Sequence, residues 1–301
     1  MRIAFIGLGM MGAPMARCLR RRGFELFADD LDKERVRELS TEELAGPVPV
    51  PLRAEHASAI DALITMLPDS DAVERVLLGE NADGVSGWAD RLSQGSCVID
   101  MSSSDPARSR RLAERLAALG LHYLDAPVSG GVHRATDGSL AILVGGELGV
   151  LQTHRPLLEA MGRSVLHIGR AGCGHAAKAL NNYVSAAGLV ATVEALHIAE
   201  GFGIEPTVMT EVLNASTGRT NTSENKVRQF MLSGSFSSGF ALALMAKDLR
   251  IAQQLSSTVG YSMPLGATCV RVWDDAARHA TAKTDHTEMY RLLAQPHGAI
   301  D

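Results

Sequence analysis

Apolar positions follow two different patterns along the chain. In the first half, short apolar runs such as "ALITML", "SCVIDM" and "LAILVGG" alternate with stretches of helical period such as "DPARSRRLAERLAALG". The short runs predict strands and the longer stretches predict helices. Because strands that alternate with helices form parallel sheets covered on both faces, residues 1–168 are predicted to form a doubly wound α/β domain.

The second half of the chain is helical in pattern. The helical period is unbroken from about residue 174 to residue 202, where Gly201, Gly203 and Pro206 end it. The runs that follow, "PTVMTEVLNAS", "FALALMAKDLRIAQQLSSTVG" and "PLGATCVRVWDDAARHA", are separated by polar or glycine-bearing turns. Since 301 residues also exceed the usual size of one domain, residues 169–301 are predicted to form an all-α domain that begins with a long interdomain helix.

A glycine-rich turn follows the first predicted strand. The hexapeptide Gly7-Leu8-Gly9-Met10-Met11-Gly12 lies between that strand and a helical stretch that stops at Gly23. In such a turn the first glycine permits a tight bend, the second lets the backbone approach a pyrophosphate, and the third lets the helix pack closely on the strand. The six residues predict a Rossmann-type dinucleotide site at the helix N-terminus.

An acidic residue at the end of the second predicted strand indicates which dinucleotide binds. Asp30 follows the run "FELFA" and lies 18 residues after Gly12, where a carboxylate can accept hydrogen bonds from the adenosine ribose. A 2′-phosphate would be repelled there, and the basic residues Lys33 and Arg35 come only later. The sequence therefore predicts NAD, with NADP less favoured.

Three further strand ends carry residues typical of a ligand crevice. They are Leu67-Pro68, Ser102-Ser103-Ser104 and Ser129-Gly130-Gly131, and ligands of doubly wound sheets bind outside the carboxyl ends of the strands. Each also has a structural interpretation: a proline stop, a serine cap before a helix near Pro106, and a plain glycine turn. The two glycines can form a backbone nest for an anion, so the third segment suits a small carboxylate.

The long helix carries a polar stripe on an otherwise apolar surface. His175, Lys178, Asn182 and Ser185 are spaced three, four and three residues apart, so they share one face. The stripe fits either a structural polar seam between domains or the wall of a cavity. A lysine in a dry cleft has a lowered pKa and can exchange a proton near neutral pH, and Asn182 could orient the same substrate oxygen.

Charge and cysteine content narrow the possible partners. The net charge of −5 does not favour nucleic acid or an acidic membrane surface. The four cysteines are far apart and have no metal-type spacing, so no metal site is predicted and a reducing cytoplasm is expected. No signal peptide is recognised at the N-terminus, and the charged and amide side chains of the long helix argue against a membrane span.

Four motifs, in order along the chain, resemble those of the β-hydroxyacid dehydrogenases. They are "FIGLGMMGAPMA", "DAPVSGGVHRATDGSLAILVGG", "GCGHAAKALNNY" and "MAKDLRIA", which are similar to that family's N-terminal signature, substrate-binding segment, catalytic segment and a cofactor-contacting helix. The resemblance implies that Lys178 is the catalytic lysine and that Asn182 assists at the substrate. It further implies that Ser129, Gly130 and Gly131 hold a carboxylate and that the following residues contact NAD: Leu67, Pro68, Ser103 and Lys247.

Departures from the family pattern bear on the substrate. His175 stands where the family often has Gln or Glu, and His133 where a small residue is usual. In "STGRTN", Thr220-Asn221 replaces the Cys-Trp of isobutyrate-type members. The loss of a bulky aromatic residue favours a more hydroxylated acid over a branched apolar one.

Together the motifs predict an NAD-dependent oxidoreductase with Lys178 as general acid/base. Its substrate is a small β-hydroxy acid of the 3-hydroxyisobutyrate, glycerate, serine or threonate type, oxidised to its semialdehyde or keto form, or the reverse. We expect a homo-oligomer, either dimer or tetramer. Two alternatives are an NADPH-dependent glyoxylate or succinate semialdehyde reductase, which conflicts with Asp30, and a catalytically silent cofactor-binding scaffold, which conflicts with retention of Lys178.

Overall fold

The chain folds into an α/β unit followed by a helical unit. The computed structural model describes residues 1–80 and 85–294, and the chain divides into Met1–Lys178 and Ala179–Asp301. This division falls within the long helix, whereas the predicted boundary precedes that helix. The boundary after residue 168 stays a prediction, and residues 295–301 of the predicted all-α domain lie outside the described residues.

The first unit is built on a large twisted sheet. Its strands are β1 Arg2–Ile6, β2 Glu25–Asp29, β3 Val50–Pro51, β4 Ala62–Thr65, β7 Cys97–Asp100, β8 His122–Asp125, β9 Val128–Ser129, β10 Leu140–Gly146 and β11 Gly162–Gly169, and a separate hairpin pairs β5 Gly79–Glu80 with β6 Val85–Ser86. The helices are α1 Gly12–Arg21, α2 Lys33–Thr41, α3 Ser70–Leu78, α4 Pro106–Ala118, α5 Gly131–Asp137 and α6 Leu148–Glu159, with a 3₁₀ helix at Ala54–Ala59.

The strand order confirms the predicted Rossmann-type sheet. Neighbours run in the order β11-β10-β8-β7-β4-β1-β2-β3, and the pairs from β3 to β8 are parallel. β10 departs from this pattern because it runs antiparallel to both β8 and β9. A parallel crossover needs a dozen or more residues, and the short α5 that joins β9 to β10 instead returns the chain in the opposite direction.

Both faces of this sheet are buried, as a doubly wound fold requires. Along β1, Ile3 and Phe5 pack into one hydrophobic core while Ala4 and Ile6 pack into the core on the opposite face. Successive side chains of a strand point to opposite faces, so a continuously apolar strand supplies both cores. The apolar runs recognised in the sequence therefore correspond to central strands.

The second unit is helical, as predicted. α7, Cys173–Gly201, begins in the first unit and continues into the second, which also contains α8 Pro206–Ala215, α9 Asn221–Asn225, α10 Leu242–Thr258, α11 Pro264–Arg278 and α12 Met289–Leu292, with a π-helical turn at Val227–Met231 and a 3₁₀ turn at His286–Glu288. Its core is centred on the fully buried Trp273, which packs with α7 and α10 residues such as Leu196 and Leu249. Within the described part of the chain, no helix is both long and apolar enough to cross a bilayer.

Candidate active site

The predicted dinucleotide turn lies between β1 and α1. Gly7 has φ +101°, and a Cβ placed on it would lie 2.3 Å from the carbonyl oxygen of Met66. A Cβ on Gly12 would lie 1.8 Å from the carbonyl oxygen of Gly7. Both glycines are thus required by the close packing of β1, β4 and α1.

Gly9 differs from the other two glycines of this turn. A Cβ on Gly9 would meet only Arg35 Nη1, at 3.8 Å, so packing within the protein does not require a glycine there. Close approach of a ligand to the backbone does explain it. α1 also begins without a hydrogen bond from a capping side chain, so its first N–H groups suit a phosphate, and these residues fit an NAD(P) pyrophosphate.

Asp30 reaches this turn from the end of β2. Its Oδ2 accepts a hydrogen bond from the Leu8 N–H at 2.6 Å, and its Oδ1 accepts one from the Asp32 N–H at 2.9 Å. The half-exposed Arg35 lies at the same corner, with Nη1 3.8 Å from Asp30 Oδ2. The structure therefore brings together Asp30, whose carboxylate favours a ribose diol, and Arg35, whose guanidinium could bind a phosphate. The other two turn residues, Met10 and Met11, are exposed and half-buried respectively.

The ends of β4 and β7 meet at the same edge of the sheet. The Leu67 N–H donates to Ser102 Oγ at 2.9 Å, and Pro68 and Ser103 directly follow these two residues. The structure thus brings together two of the three predicted strand-end segments. The proposed serine cap of α4 is wrong: Asp105 is the cap, and its carboxylate accepts from two backbone N–H groups of the first turn.

The predicted carboxylate-binding segment joins β9 to α5. Ser129 ends β9, and Gly130 and Gly131 have φ +136° and +68°. A Cβ on Gly130 would also lie 2.5 Å from Arg134 Cδ. Glycine is required for this backbone conformation, and the anion-binding nest stays a prediction. His133, on α5, is exposed.

The polar stripe of α7 is largely buried. Lys178 is 8% exposed, His175 and Asn182 are also buried, and Ser185 is half-buried. Lys178 belongs to the first compact unit and Asn182 to the second. On α7, the predicted acid/base residue Lys178 lies one helical turn before Asn182, the predicted substrate-orienting residue.

A carboxylate on α10 holds Asn182. The Asn182 Nδ2 donates to Asp248 Oδ2 at 2.6 Å, and Asp248 is only 2% exposed. Lys247 Nζ lies 3.7 Å from Asp248 Oδ1. From the sequence alone, without the family resemblance, Lys247 and Asp248 are expected to form a solvated pair on a helix surface. This expectation is wrong for Asp248, because its side chain is buried and accepts the hydrogen bond from the Asn182 amide.

Two buried carboxylates were missed by the sequence reasoning. Asp100 ends β7 and accepts hydrogen bonds from Thr65 Oγ1, the Ser102 N–H and Ser104 Oγ at 2.8–3.0 Å. Asp125 ends β8 and accepts from two N–H groups at the start of α7. The available signal was an acidic residue at the carboxyl end of each of two adjacent apolar strands.

Two family models match successive parts of the chain. Residues 2–169 match the model of the NAD binding domain of 6-phosphogluconate dehydrogenase, and residues 172–293 match that of the NAD-binding domain of NADP-dependent 3-hydroxyisobutyrate dehydrogenase. The chain is 33% identical to the 2-hydroxy-3-oxopropionate reductase of Escherichia coli, over 97% of each chain. The protein belongs to the β-hydroxyacid dehydrogenase family.

Two further relatives show the range of substrates in this family. The NAD-dependent L-serine dehydrogenase of Pseudomonas aeruginosa is 33% identical, over 98% of this chain and 99% of that protein. The structure of Mycobacterium tuberculosis 3-hydroxyisobutyrate dehydrogenase with L-serine superimposes with a TM-score of 0.86 at 30% identity, covering 98% and 99% of the two chains. The family membership establishes an oxidoreductase of β-hydroxy acids with NAD(P)-binding domains, and it leaves the substrate and the choice between NAD and NADP open.

Proposed function

We propose that this protein is an NAD-dependent dehydrogenase of small, hydroxylated β-hydroxy acids, with Lys178 as its general acid/base. The observation that carries the proposal is the buried Lys178 on α7, one turn before the anchored amide of Asn182. A reaction that moves a proton and a hydride together needs a side chain that exchanges the hydroxyl proton. In the predicted catalytic segment Lys178 has that chemistry, whereas both ring nitrogens of His175 are already bonded to Ser109 and Ser102.

The chain's own residues then have distinct roles. When bound, the nicotinamide supplies the hydride acceptor for oxidation and the hydride donor for reduction. Lys178 removes the substrate hydroxyl proton during oxidation and returns it during reduction. Because Asp248 accepts one amide hydrogen of Asn182, the plane of that amide is held in a defined direction, from which it orients the reacting oxygen.

The substrate carboxylate is assigned to Ser129, Gly130 and Gly131. The two glycines allow adjacent backbone N–H groups of this turn to converge on one anion, and the Ser129 hydroxyl adds a further donor. Since this segment leaves β9 beyond the end of β8, it lies on the side of the sheet where such folds bind ligands.

A hydroxylated acid is favoured over a branched apolar one. Asn221 begins α9 and is exposed, and Thr220 caps that helix. A polar residue here replaces the aromatic one that isobutyrate-type sequences tend to carry.

A substrate panel tests this assignment. Initial rates of NADH formation would be compared for glycerate, L-serine, threonate and 3-hydroxyisobutyrate. We expect a higher kcat/KM for at least one hydroxylated acid, and a clear preference for 3-hydroxyisobutyrate would overturn the substrate class.

The role of Lys178 is tested separately with Lys178→Ala, which should retain NADH binding but lose turnover. Unchanged turnover in this variant would favour another residue as the base. A wild-type protein that is inactive on every acid would favour a catalytically silent scaffold.

NAD is the proposed cofactor because of Asp30. Its carboxylate is held at the glycine turn by two backbone N–H groups, so a 2′-phosphate placed there would meet a negative charge. We expect wild type to use NAD with the higher kcat/KM and Asp30→Ser to shift the preference toward NADP. Arg35→Ala is the matched control and should lower use of NADP more than use of NAD.

The position of Arg35 supports one alternative, an NADPH-dependent glyoxylate or succinate semialdehyde reductase. Its guanidinium lies 3.8 Å from Asp30 and faces Gly9, where it could neutralise a phosphate. The same assays, run in the reducing direction with glyoxylate and succinate semialdehyde, separate the two functions. Much more efficient turnover with NADPH than with NADH would establish the alternative.

We also propose that the protein is a homo-oligomer. Apolar side chains on and just beyond α7 are exposed in pairs four residues apart, Leu180 with Val184 and Ile198 with Phe202, and neighbouring exposed apolar groups of this kind mark contact surfaces. Light scattering after size-exclusion chromatography measures the mass. A monomer at micromolar concentration would contradict the proposal.

A further inference from the structure

His175 lies in the first turn of α7 and is almost completely buried, with 1% exposure. Its ring Nε2 lies 3.0 Å from the Ser102 carbonyl oxygen, and its Nδ1 lies 2.8 Å from Ser109 Oγ. Its backbone N–H donates to Asp125 Oδ2 at 2.9 Å. Each polar group of the residue other than its carbonyl is therefore used to bind another element of the same compact unit.

These contacts attach the start of α7 to three separate elements. Ser102 follows β7, Asp125 ends β8, and Ser109 lies on α4. Asp125 also accepts from the Gly172 N–H at 2.7 Å. A Cβ on Gly174 would lie 2.3 Å from the Leu143 carbonyl oxygen, so the helix backbone itself packs against β10.

The imidazole also lies between two buried carboxylates. Asp100 Oδ2 is 3.8 Å from Nε2, and Asp125 Oδ2 is 3.8 Å from Nδ1. Burial raises the pKa of Asp125, and the nearby His175 lowers it again in part. Burial and the charges of the same two carboxylates raise the pKa of Tyr123 well above its ordinary value. The ring is thus held by hydrogen bonds on both nitrogens and enclosed by two carboxylates, and it has little freedom to move.

Lys178 follows His175 by three residues on the same face of this anchored turn. Both residues belong to the first compact unit. Because an α-helix is stiff over one turn, the contacts that fix His175 also set the position of the Lys178 backbone. A shift of about 1 Å in a reacting group can cost on the order of 10²-fold in rate.

We infer that His175 is a positioning residue for Lys178: its ring attaches the catalytic turn of α7 to the ends of β7 and β8. The inference rests on the proposed function, since it takes Lys178 as the acid/base. His175 has no role in direct contact with substrate, because its ring is buried against Ser102 and Ser109. The side chain acts through the placement of the Lys178 amine.

Three variants separate positioning from general stability. His175→Leu removes both ring hydrogen bonds at similar volume, whereas His175→Gln keeps an amide group that can bond to the Ser102 carbonyl oxygen and to Ser109 Oγ. His154→Leu is the matched control, since His154 is a buried histidine on α6 whose Nδ1 contacts the Val150 carbonyl oxygen. For each variant we would measure kcat, KM, the Kd for NADH, Tm and the rate at which trace acetic anhydride acetylates Lys178.

We expect His175→Leu to lower kcat by about 10–100-fold, with the Kd for NADH within about threefold of wild type, because the glycine turn that binds it is untouched. Acetylation of Lys178 should become several-fold faster as the amine loses its buried position. His175→Gln should restore kcat and the slow acetylation, and His154→Leu should lower Tm without changing either.

Each contrary result has a defined meaning. Unchanged kcat and unchanged acetylation in His175→Leu would overturn the inference, as would a loss in His175→Gln equal to that in His175→Leu. An equal kcat loss in His154→Leu would assign the effect to stability alone. If wild type oxidises none of the tested acids, the proposed function fails, and the acetylation rates still decide whether His175 positions Lys178.

Discussion

Each unit of this molecule contains a buried histidine close to a lysine, but the two histidines have different surroundings. In the first unit, His175 lies between Asp100 and Asp125 and precedes Lys178 by one helical turn. In the second, His286 Nε2 lies 2.9 Å from the Lys226 amine. Two carboxylates flank the first imidazole, whereas the second lies between the Lys226 amine and one carboxylate, with Asp285 Oδ1 3.5 Å from its Nδ1. The same residue types therefore serve two purposes, set by what packs around them.

The cluster in the helical unit joins loops rather than a catalytic turn. Asp285 accepts hydrogen bonds of 2.6–3.2 Å from Ser238, Gly239, Phe240 and Thr287. Burial and the Lys226 charge together lower the pKa of His286 to about 4, against the opposing effect of Asp285. Burial also lowers the pKa of Lys226 to about 8, while Asp285 opposes that shift. We therefore interpret this cluster as structural.

The largest expected difference between the two regions is in turnover. Lys178→Met should lower kcat by about 10²–10⁴-fold, the usual contribution of a general acid/base. Lys226→Met should leave kcat within about twofold, since its amine bonds to His286 in the structural cluster of the helical unit. Steady-state rates and NADH binding of both variants check this, and equal losses would remove the distinction between a catalytic and a structural lysine.

The second largest difference between the two regions is expected when a buried carboxylate of each, Asp285 or Asp125, is replaced by an amide. Asp285→Asn presents an NH₂ group to a ring of donors, so we expect the free energy of unfolding to fall by about 2–3 kcal/mol with kcat unchanged. Asp125→Asn should lower both stability and kcat, because Asp125 holds the first turn of α7. Urea unfolding and initial rates measure the pair, and a normal kcat in Asp125→Asn would contradict the assigned link to Lys178.

Acid should weaken the helical cluster by a smaller amount. Below about pH 6.5 the unfolded chain binds a proton at His286 that the folded chain does not bind until about pH 4. The free energy of unfolding therefore falls as pH drops through this window. His286→Phe keeps an aromatic ring against Phe240 but does not titrate, so it should lose less free energy of unfolding than wild type between about pH 6.5 and pH 4. Identical pH dependence of urea unfolding in both proteins would assign the effect to other groups.

The smallest effect is expected at an exposed ion pair. Arg250 and Asp274 connect α10 and α11 at the surface of the helical unit. Exposed pairs contribute about 0–1 kcal/mol because water screens them. Arg250→Gln should therefore change the free energy of unfolding by less than about 0.5 kcal/mol. If the free energy of unfolding fell by more than this, exposed and buried charges would contribute similarly, and burial would not explain the difference between them.

Much of the fold and part of the candidate site could be predicted from local pattern. The glycine turn, the strand that ends before Asp30 and the stripe of His175, Lys178 and Asn182 each depend on residues close in sequence. Their spacing carries the period of a strand or a helix. The predicted roles of these residues at substrate and cofactor stay predictions for the assays above.

The side chains that contact these residues could not be predicted from local pattern. Asp125 contacts His175 across 50 positions, and Asp248 contacts Asn182 across 66. Asp248 also follows a lysine in a helix, which by itself is typical of a solvated surface. Its burial depends on which face of α10 packs against α7, and neither helix encodes that choice alone.

The sequence by itself determined the order of strands and helices, the dinucleotide turn and the polar stripe of α7, because these follow from short-range spacing and from steric limits at glycine. Only the tertiary structure decided that β10 runs antiparallel to β8, that Asp100 and Asp125 meet His175, and that Asp248 holds Asn182. The physical reason is that a buried charge is stabilised by groups brought together from distant segments, and their meeting depends on how the whole sheet and helix set pack.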